Sequence, residues 1–298
     1  MHLSRSGWHP LRAAIAFGIA LAIVPPEAPA KPPEGAAKRL CRAAREGNLD
    51  LIRKILRDSG ESVKGADQFG YTALHWAALC GHREVLDLLL DSGAKVDAPS
   101  GEEGRTALYL ASLRGRDDII EALISRGSGV NGRERTGRTA VHAAAEQGQT
   151  RALKLLVGHG GSVDVRDAEG LTPLHLACQA GHENAARLLA DHGAAIDASN
   201  DLGETPLHLA ALAGDCSLVA LLLELGAGVD TRDSSGATPL LRASRCGQLG
   251  VARSLIAAGA DIVAVDGTGR TALDYARLFA FDDLAALLKK KGDMIPIS

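Results

Sequence analysis

A repeat of 33 residues constrains this chain more than any other feature. Gly70, Gly104, Gly137, Gly170, Gly203, Gly236 and Gly269 are separated by 34 residues once and by 33 five times. Two positions after each stands a threonine: Thr72, Thr106, Thr139, Thr172, Thr205, Thr238 and Thr271. Two further glycine series, beginning at Gly81 and at Gly93, keep the same step; together the three series take 20 of the chain's 34 glycines. Self-similarity at this period belongs to arrays of one supersecondary unit, not to a chain wrapped around a single closed core.

The unit reads as two short helices. A threonine hydroxyl at an N-cap accepts from an orphan backbone N–H, and proline is welcome at the next position because its missing donor is not needed there. Thr172, Thr205 and Thr238 precede Pro173, Pro206 and Pro239, whereas the other four threonines precede alanine. About eight Ala- and Leu-rich residues follow, until a glycine supplies the left-handed turn that ends the helix. A second segment, such as residues 84–91 (EVLDLLLD), places its apolar residues on one face at helical spacing. Helices of two or three turns are marginal alone, so each unit needs its neighbours to cover its apolar faces.

Residues 170–200 (GLTPLHLACQAGHENAARLLADHGAAIDASN) and 203–233 (GETPLHLAALAGDCSLVALLLELGAGVDTRD) carry this pattern most fully. In period, Thr-Pro-Leu-His start, Gly-His junction and Leu-Leu-x-x-Gly-Ala end they resemble ankyrin repeats. The resemblance implies an all-α solenoid of stacked antiparallel helix pairs joined by β-hairpin-like fingers. It covers seven repeats over residues 67–292, preceded by a degenerate cap over 38–66 that lacks the threonine start but keeps Gly47 and Gly60 in step. Arg42, Arg45, Arg53, Lys54 and Arg57 are expected to wet the outer face of that cap. The last repeat serves as the carboxyl-terminal cap: Asp274 replaces the motif histidine, Ala280 the helix-ending glycine, and Lys289, Lys290 and Lys291 suit a helix C-terminus. A tail of 293–298 follows, and the finger at 98–105 (APSGEEGR) carries one extra residue.

The first thirty residues have another character. Arg5 and Arg12 precede an uncharged run at 13–24 (AAIAFGIALAIV), then Ala28 and Ala30 in small-x-small order. A charged head, a short apolar middle and a small-residue cut site make a secretory signal peptide over 1–30, with a stiff linker at 31–37. The alternative is a retained membrane anchor, although the apolar stretch at 11–24 is 14 residues against the roughly 20 a spanning helix needs. The expected location is therefore periplasmic or secreted. Five cysteines, an odd count without C-x-x-C spacing, are expected as free and mostly buried thiols, with a Cys216–Cys246 bridge conceivable.

No nucleophile elbow, H-E-x-x-H or phosphate loop is present, so no catalytic, cofactor or metal residues are assigned. His75, His142, His175 and His208 occupy one place in successive units, about 10 Å apart when stacked, too far to share a metal. Their expected role is a hydrogen bond to the motif threonine and neighbouring backbone. A net charge of −3 and 3% aromatic residues leave no general field or stacking platform for nucleic acid.

What remains is non-catalytic binding of a protein partner by a monomer, with a membrane-tethered spacer or an exported effector as alternatives. The resemblance implies that contacts cluster on the concave surface of fingers and first helices. There Phe69, Tyr71, Trp76 and Leu79 concentrate apolar area in the first full unit, and Arg105, Leu113 and Arg114 extend it into the second. Aromatic and arginine side chains are the types enriched where binding energy concentrates.

Overall fold

The threonine N-caps, the left-handed glycines and the apolar spacing produce sixteen helices among the described residues. These are residues 35–58 and 63–293 of a computed structural model. The signal segment at 1–30, residues 31–34 of the linker and residues 294–298 of the tail lie outside them. Inner helices are α1 (Ala36–Glu46), α3 (Ala73–Cys80), α5 (Ala107–Leu113), α7 (Ala140–Glu146), α9 (Pro173–Ala180), α11 (Pro206–Ala213), α13 (Pro239–Arg245) and α15 (Ala272–Leu278). Outer helices are α2 (Leu49–Asp58), α4 (Arg83–Asp91), α6 (Asp117–Ser125), α8 (Thr150–Gly158), α10 (Glu183–Asp191), α12 (Cys216–Glu224), α14 (Leu249–Ala257) and α16 (Asp282–Gly292). Each inner helix packs on the next inner helix and on its own outer partner, and outer helices pack in the same succession.

Composition follows position. α3 is covered on several sides, and Ala73, Leu74, His75, Trp76, Ala77, Ala78 and Leu79 are all buried. α4 has one side in water and buries only Val85, Leu86 and Leu89. Each leucine removed from water in this way contributes about 1.5–3 kcal/mol, which offsets the ordering of helices too short to persist alone.

The fingers are turns more than strands. Among the described residues the sole bridge outside helices joins Ala66 and Thr72. In the first finger the Asp67 N–H donates to the Tyr71 carbonyl at 2.9 Å. The Asp67 carboxylate accepts from the N–H groups of Phe69 (2.9 Å) and Tyr71 (3.1 Å). Glu134, Asp167, Asn200, Asp233 and Asp266 repeat this turn. Ser100 takes that place in the longer second finger; its buried hydroxyl has no partner, and the Gly104 N–H instead reaches the Ser100 carbonyl. Successive fingers are tied together, starting with Gly101 N–H to the Gly70 carbonyl at 3.0 Å and ending with Gly267 to Ser235 at 2.8 Å. The approach is close enough that a Cβ on Gly70 would stand 2.2 Å from the Cα of Gly101.

The two ends differ from the middle. A row of loop side chains, Asp97, Asn131, Asp164, Asp197 and Asp230, accepts a backbone N–H from the following unit. Val263 closes that row without an acceptor. Ala280, in place of the glycine, holds φ at +56° and is the one described non-glycine residue in the left-handed region, a conformation that costs a residue with a Cβ about 1 kcal/mol.

Candidate partner-binding surface

The inner surface is built from two repeated positions: the finger residues flanking each glycine and the carboxyl-terminal turns of the inner helices. Their placement depends on the motif histidines. In the first unit His75 Nδ1 accepts from the Thr72 N–H (3.1 Å) and lies 2.8 Å from the Thr72 hydroxyl. Nδ1 is therefore the unprotonated nitrogen, and Nε2–H donates forward to the carbonyls of Ala98 (2.9 Å) and Arg105 (3.0 Å). His142, His175 and His208 likewise reach the carbonyls of Leu171, Glu204 and Ala237 in the next finger. The expected bond to threonine and backbone is thus one half of a clasp between repeats. Burial pushes all four imidazoles below the ordinary histidine value, His142 to about 4, which keeps them neutral. Tyr109, Leu241 and Asp274 fill this place in the other units. Asp274 caps its own helix through Thr271, whose N–H and hydroxyl hold the carboxylate below its usual range.

The arginines of this surface fall into two groups. Arg138 is held by Asp167 (2.9 Å) and Glu146 (3.2 Å), and Arg242 by Asp233 (2.7 Å) and Glu204 (3.2 Å). Arg105 pairs with Glu103 at 2.8 Å and lies over the Tyr109 ring. Arg45 sits 5.7 Å from the centre of the Trp76 ring and has no ion pair among the described residues. The five cap cations are all exposed, Arg42 and Arg45 on the inner helix of the cap and Arg53, Lys54 and Arg57 on its outer helix.

The expected site is only partly open. Tyr71 packs 5.5 Å from Trp76, whose indole N–H donates to Asp67 at 2.8 Å. Covered by Tyr71 and Arg45, Trp76 is 4% exposed, and Leu79 and Leu113 are each 5% exposed. These three belong to the packed core and are corrected as surface residues. Phe69 and Arg114 are exposed, and Tyr71 and Arg105 are half-buried.

Other residues at the same repeat positions are open instead. Leu202 is 62% and Leu212 40% exposed, next to a small cluster of Leu171, Leu176 and Leu209. At the last unit Leu278 is 58% and Phe279 47% exposed. The sequence places Leu212 at the same repeat position as Leu79, yet one is open and the other sealed. All the large apolar side chains that are exposed among the described residues lie on fingers, finger loops or inner-helix ends: Phe69, Leu202, Leu212, Val263, Val265, Leu278 and Phe279.

No group of three or more metal-ligating side chains is found among the described residues, and none of their helices is long and apolar enough to cross a membrane. The cysteines are free: Cys41 and Cys178 buried, Cys80 and Cys246 half-buried, Cys216 exposed at the start of α12. The expectation of mostly buried thiols therefore holds for two of the five.

Stacked helix pairs with linked fingers and a histidine clasp define a repeat scaffold of the interaction type. The sequence model of ankyrin repeats matches three times, over residues 40–134, 127–200 and 196–266, and the chain belongs to that family. It is 40% identical over 74 residues to the mouse ankyrin repeat and MYND domain-containing protein 1, a match covering 25% of this chain and 8% of that protein. Identity is 35% over 78 residues to the Drosophila melanogaster palmitoyltransferase Hip14, covering 26% and 12%. With the pig osteoclast-stimulating factor 1 it is 37% over 67 residues, covering 22% and 31%. The likeness thus spans a minor part of each relative.

Proposed function

We propose that this protein is a non-catalytic binding module that holds a protein partner on the inner surface of its repeats, outside the cytosol. Membership of the ankyrin family supports protein binding in general. The observation that carries the surface assignment is the segregation of exposed apolar side chains. Phe69, Leu202, Leu212, Leu278 and Phe279 stand on fingers and inner-helix ends, while the outer helices expose none of comparable size among the described residues. Patches of this kind mark interaction sites when they gather on one face. On the outer row, a depression lined by Asp117, Glu121, Arg151, Lys154, Leu155 and His159 mixes both signs of charge around one leucine.

The test is a double variant, Leu202→Ser with Leu212→Ser, compared with Ala220→Ser on the outer helix α12. Both proteins should keep the helical spectrum, and only the double variant should lose the partner cross-linked in the producing cell. Equal retention by both would refute the surface. The location rests on the signal-like residues 1–30, and mass spectrometry of the mature amino terminus checks it: a start at Lys31 supports export, and an intact Met1 favours the tethered spacer.

A further inference from the structure

Three guanidinium groups, from the end of α1, the end of α5 and the start of α6, stand around the carboxyl-terminal end of α3. Arg45 lies in the last turn of α1, Arg114 caps α5, and Arg116 stands at the N-cap of α6. The Arg116 side chain turns back over Gly81, where a Cβ would come within 3.3 Å of its Nε and Cζ. Burial raises the half-buried Cys80 thiol, and the charges of Arg116, Arg45 and Arg114 oppose that rise. None is ion-paired to a described carboxylate, in contrast with Arg105, Arg138 and Arg242 on the same surface.

Helix capping does not account for the cluster. A cation at a helix C-terminus complements the macrodipole, yet Cys80, Gln147, Ala180, Ala213, Cys246 and Phe279 fill the position of Arg114 in the other full units. Arg116 stands at a helix N-terminus, where a cation is opposed by the dipole. Its neighbour Asp117 does not pair with it; the cation that acts on Asp117 is Arg151. The cluster also opposes the sign of the whole chain, which carries −3. α1 adds Lys38, Arg39 and Arg42 against the single acid Glu46, 4.0 Å from Arg42.

We propose that Arg45, Arg114 and Arg116 form the recognition site for an acidic segment of the protein partner, its Asp and Glu carboxylates taking the place that Asp167 and Glu146 hold beside Arg138. The proposal rests on the inner-surface reading above and adds the chemistry of one end of it. Guanidinium groups pair with carboxylates in fork geometry, and such charge complementarity governs encounter and specificity.

The probe is a fluorescein-labelled peptide of alternating Glu and Gly, with its Gln counterpart as the neutral control, followed by anisotropy at low ionic strength and at 0.15 M salt. The full chain should bind the Glu peptide and not the Gln peptide. Arg114→Gln with Arg116→Gln should weaken binding about ten-fold, while Arg253→Gln, an exposed position on α14, leaves it unchanged. Bound peptide should slow alkylation of Cys80 and not of Cys216, read site by site by mass spectrometry. Equal weakening by Arg253→Gln, or an unprotected Cys80, would overturn the site. Tighter binding of a ten-residue oligothymidylate than of the Glu peptide would overturn the acidic-peptide assignment. Failure here leaves the Leu202 and Leu212 result standing, whereas failure of the inner-surface reading removes both.

Discussion

One inner-helix position, seven residues after the motif threonine, has opposite outcomes in the first two full units and in the fifth. At the amino-terminal end Leu79 and Leu113 there are sealed, while Arg114 and Arg116 close by have no ion pair among the described residues. In the middle Leu202 and Leu212 are open, and Arg138 and Arg242 on either side are locked between acids. A repeat scaffold fixes where a side chain starts. Whether it reaches solvent depends on its neighbours in the adjoining units, because those units supply the wall. Trp76 has Tyr71, Arg45 and the Asp67 carboxylate around it; Leu212 has Gln179 and Arg245 at the matching places, both exposed.

The largest way to break this contrast is to remove a sealed side chain. Trp76→Ala should destabilise the stack by about 3–5 kcal/mol and Leu79→Ala by about 2–5 kcal/mol, the range for truncation in a packed core. Urea midpoints at fixed pH measure both. Loss of under about 1 kcal/mol at Leu79 would mean that the position is open after all.

Acid comes next, and it strains the histidine-bearing units selectively. The folded imidazoles lie below the ordinary value of 6.5, so their contribution is complete above that pH. As pH falls, the unfolded chain takes up protons that the folded clasp refuses, and stability drops until the folded groups titrate. For His142, held down to about 4, the loss by that pH is on the order of 3 kcal/mol. Urea midpoints at pH 7.5, 6 and 5 should fall steadily, and His142→Gln should flatten the slope. A midpoint independent of pH over this range would contradict the clasp.

The smallest stability effect belongs to the open position. Leu212→Ala should cost under about 1 kcal/mol, because a side chain 40% exposed loses little on truncation, yet it should reduce partner adducts. A melting loss as large as that of Leu79→Ala would erase the distinction between the two regions.

The architecture was legible because glycine and threonine report backbone needs directly: a left-handed turn or an N-cap shows in the residue itself. The histidine bond to threonine was legible through the ankyrin resemblance of the repeated motif. Its forward half, Nε2 to a carbonyl 29 residues on, depends on how units stack. Exposure was less legible for the same reason. Phe69 and Arg114 are exposed, whereas Trp76 is covered by side chains 5 to 31 residues away in sequence and Leu79 and Leu113 are buried as well. The departure at 98–105 was visible as one extra residue, but the unpartnered Ser100 hydroxyl in place of the usual acidic turn residue follows from the folded finger.

The most direct measurement is a photo-cross-linking scan of the full chain in the producing cell. A photoreactive residue is placed in turn at inner positions 179, 212 and 245 and at outer positions 187, 220 and 253. Adducts to a single protein species from the inner positions, strongest at 212 and absent from the outer ones, are the predicted result. Adducts from the outer helices with none from the inner row would contradict the claim that partner binding is carried by the side chains the stack leaves open along its fingers and inner-helix ends.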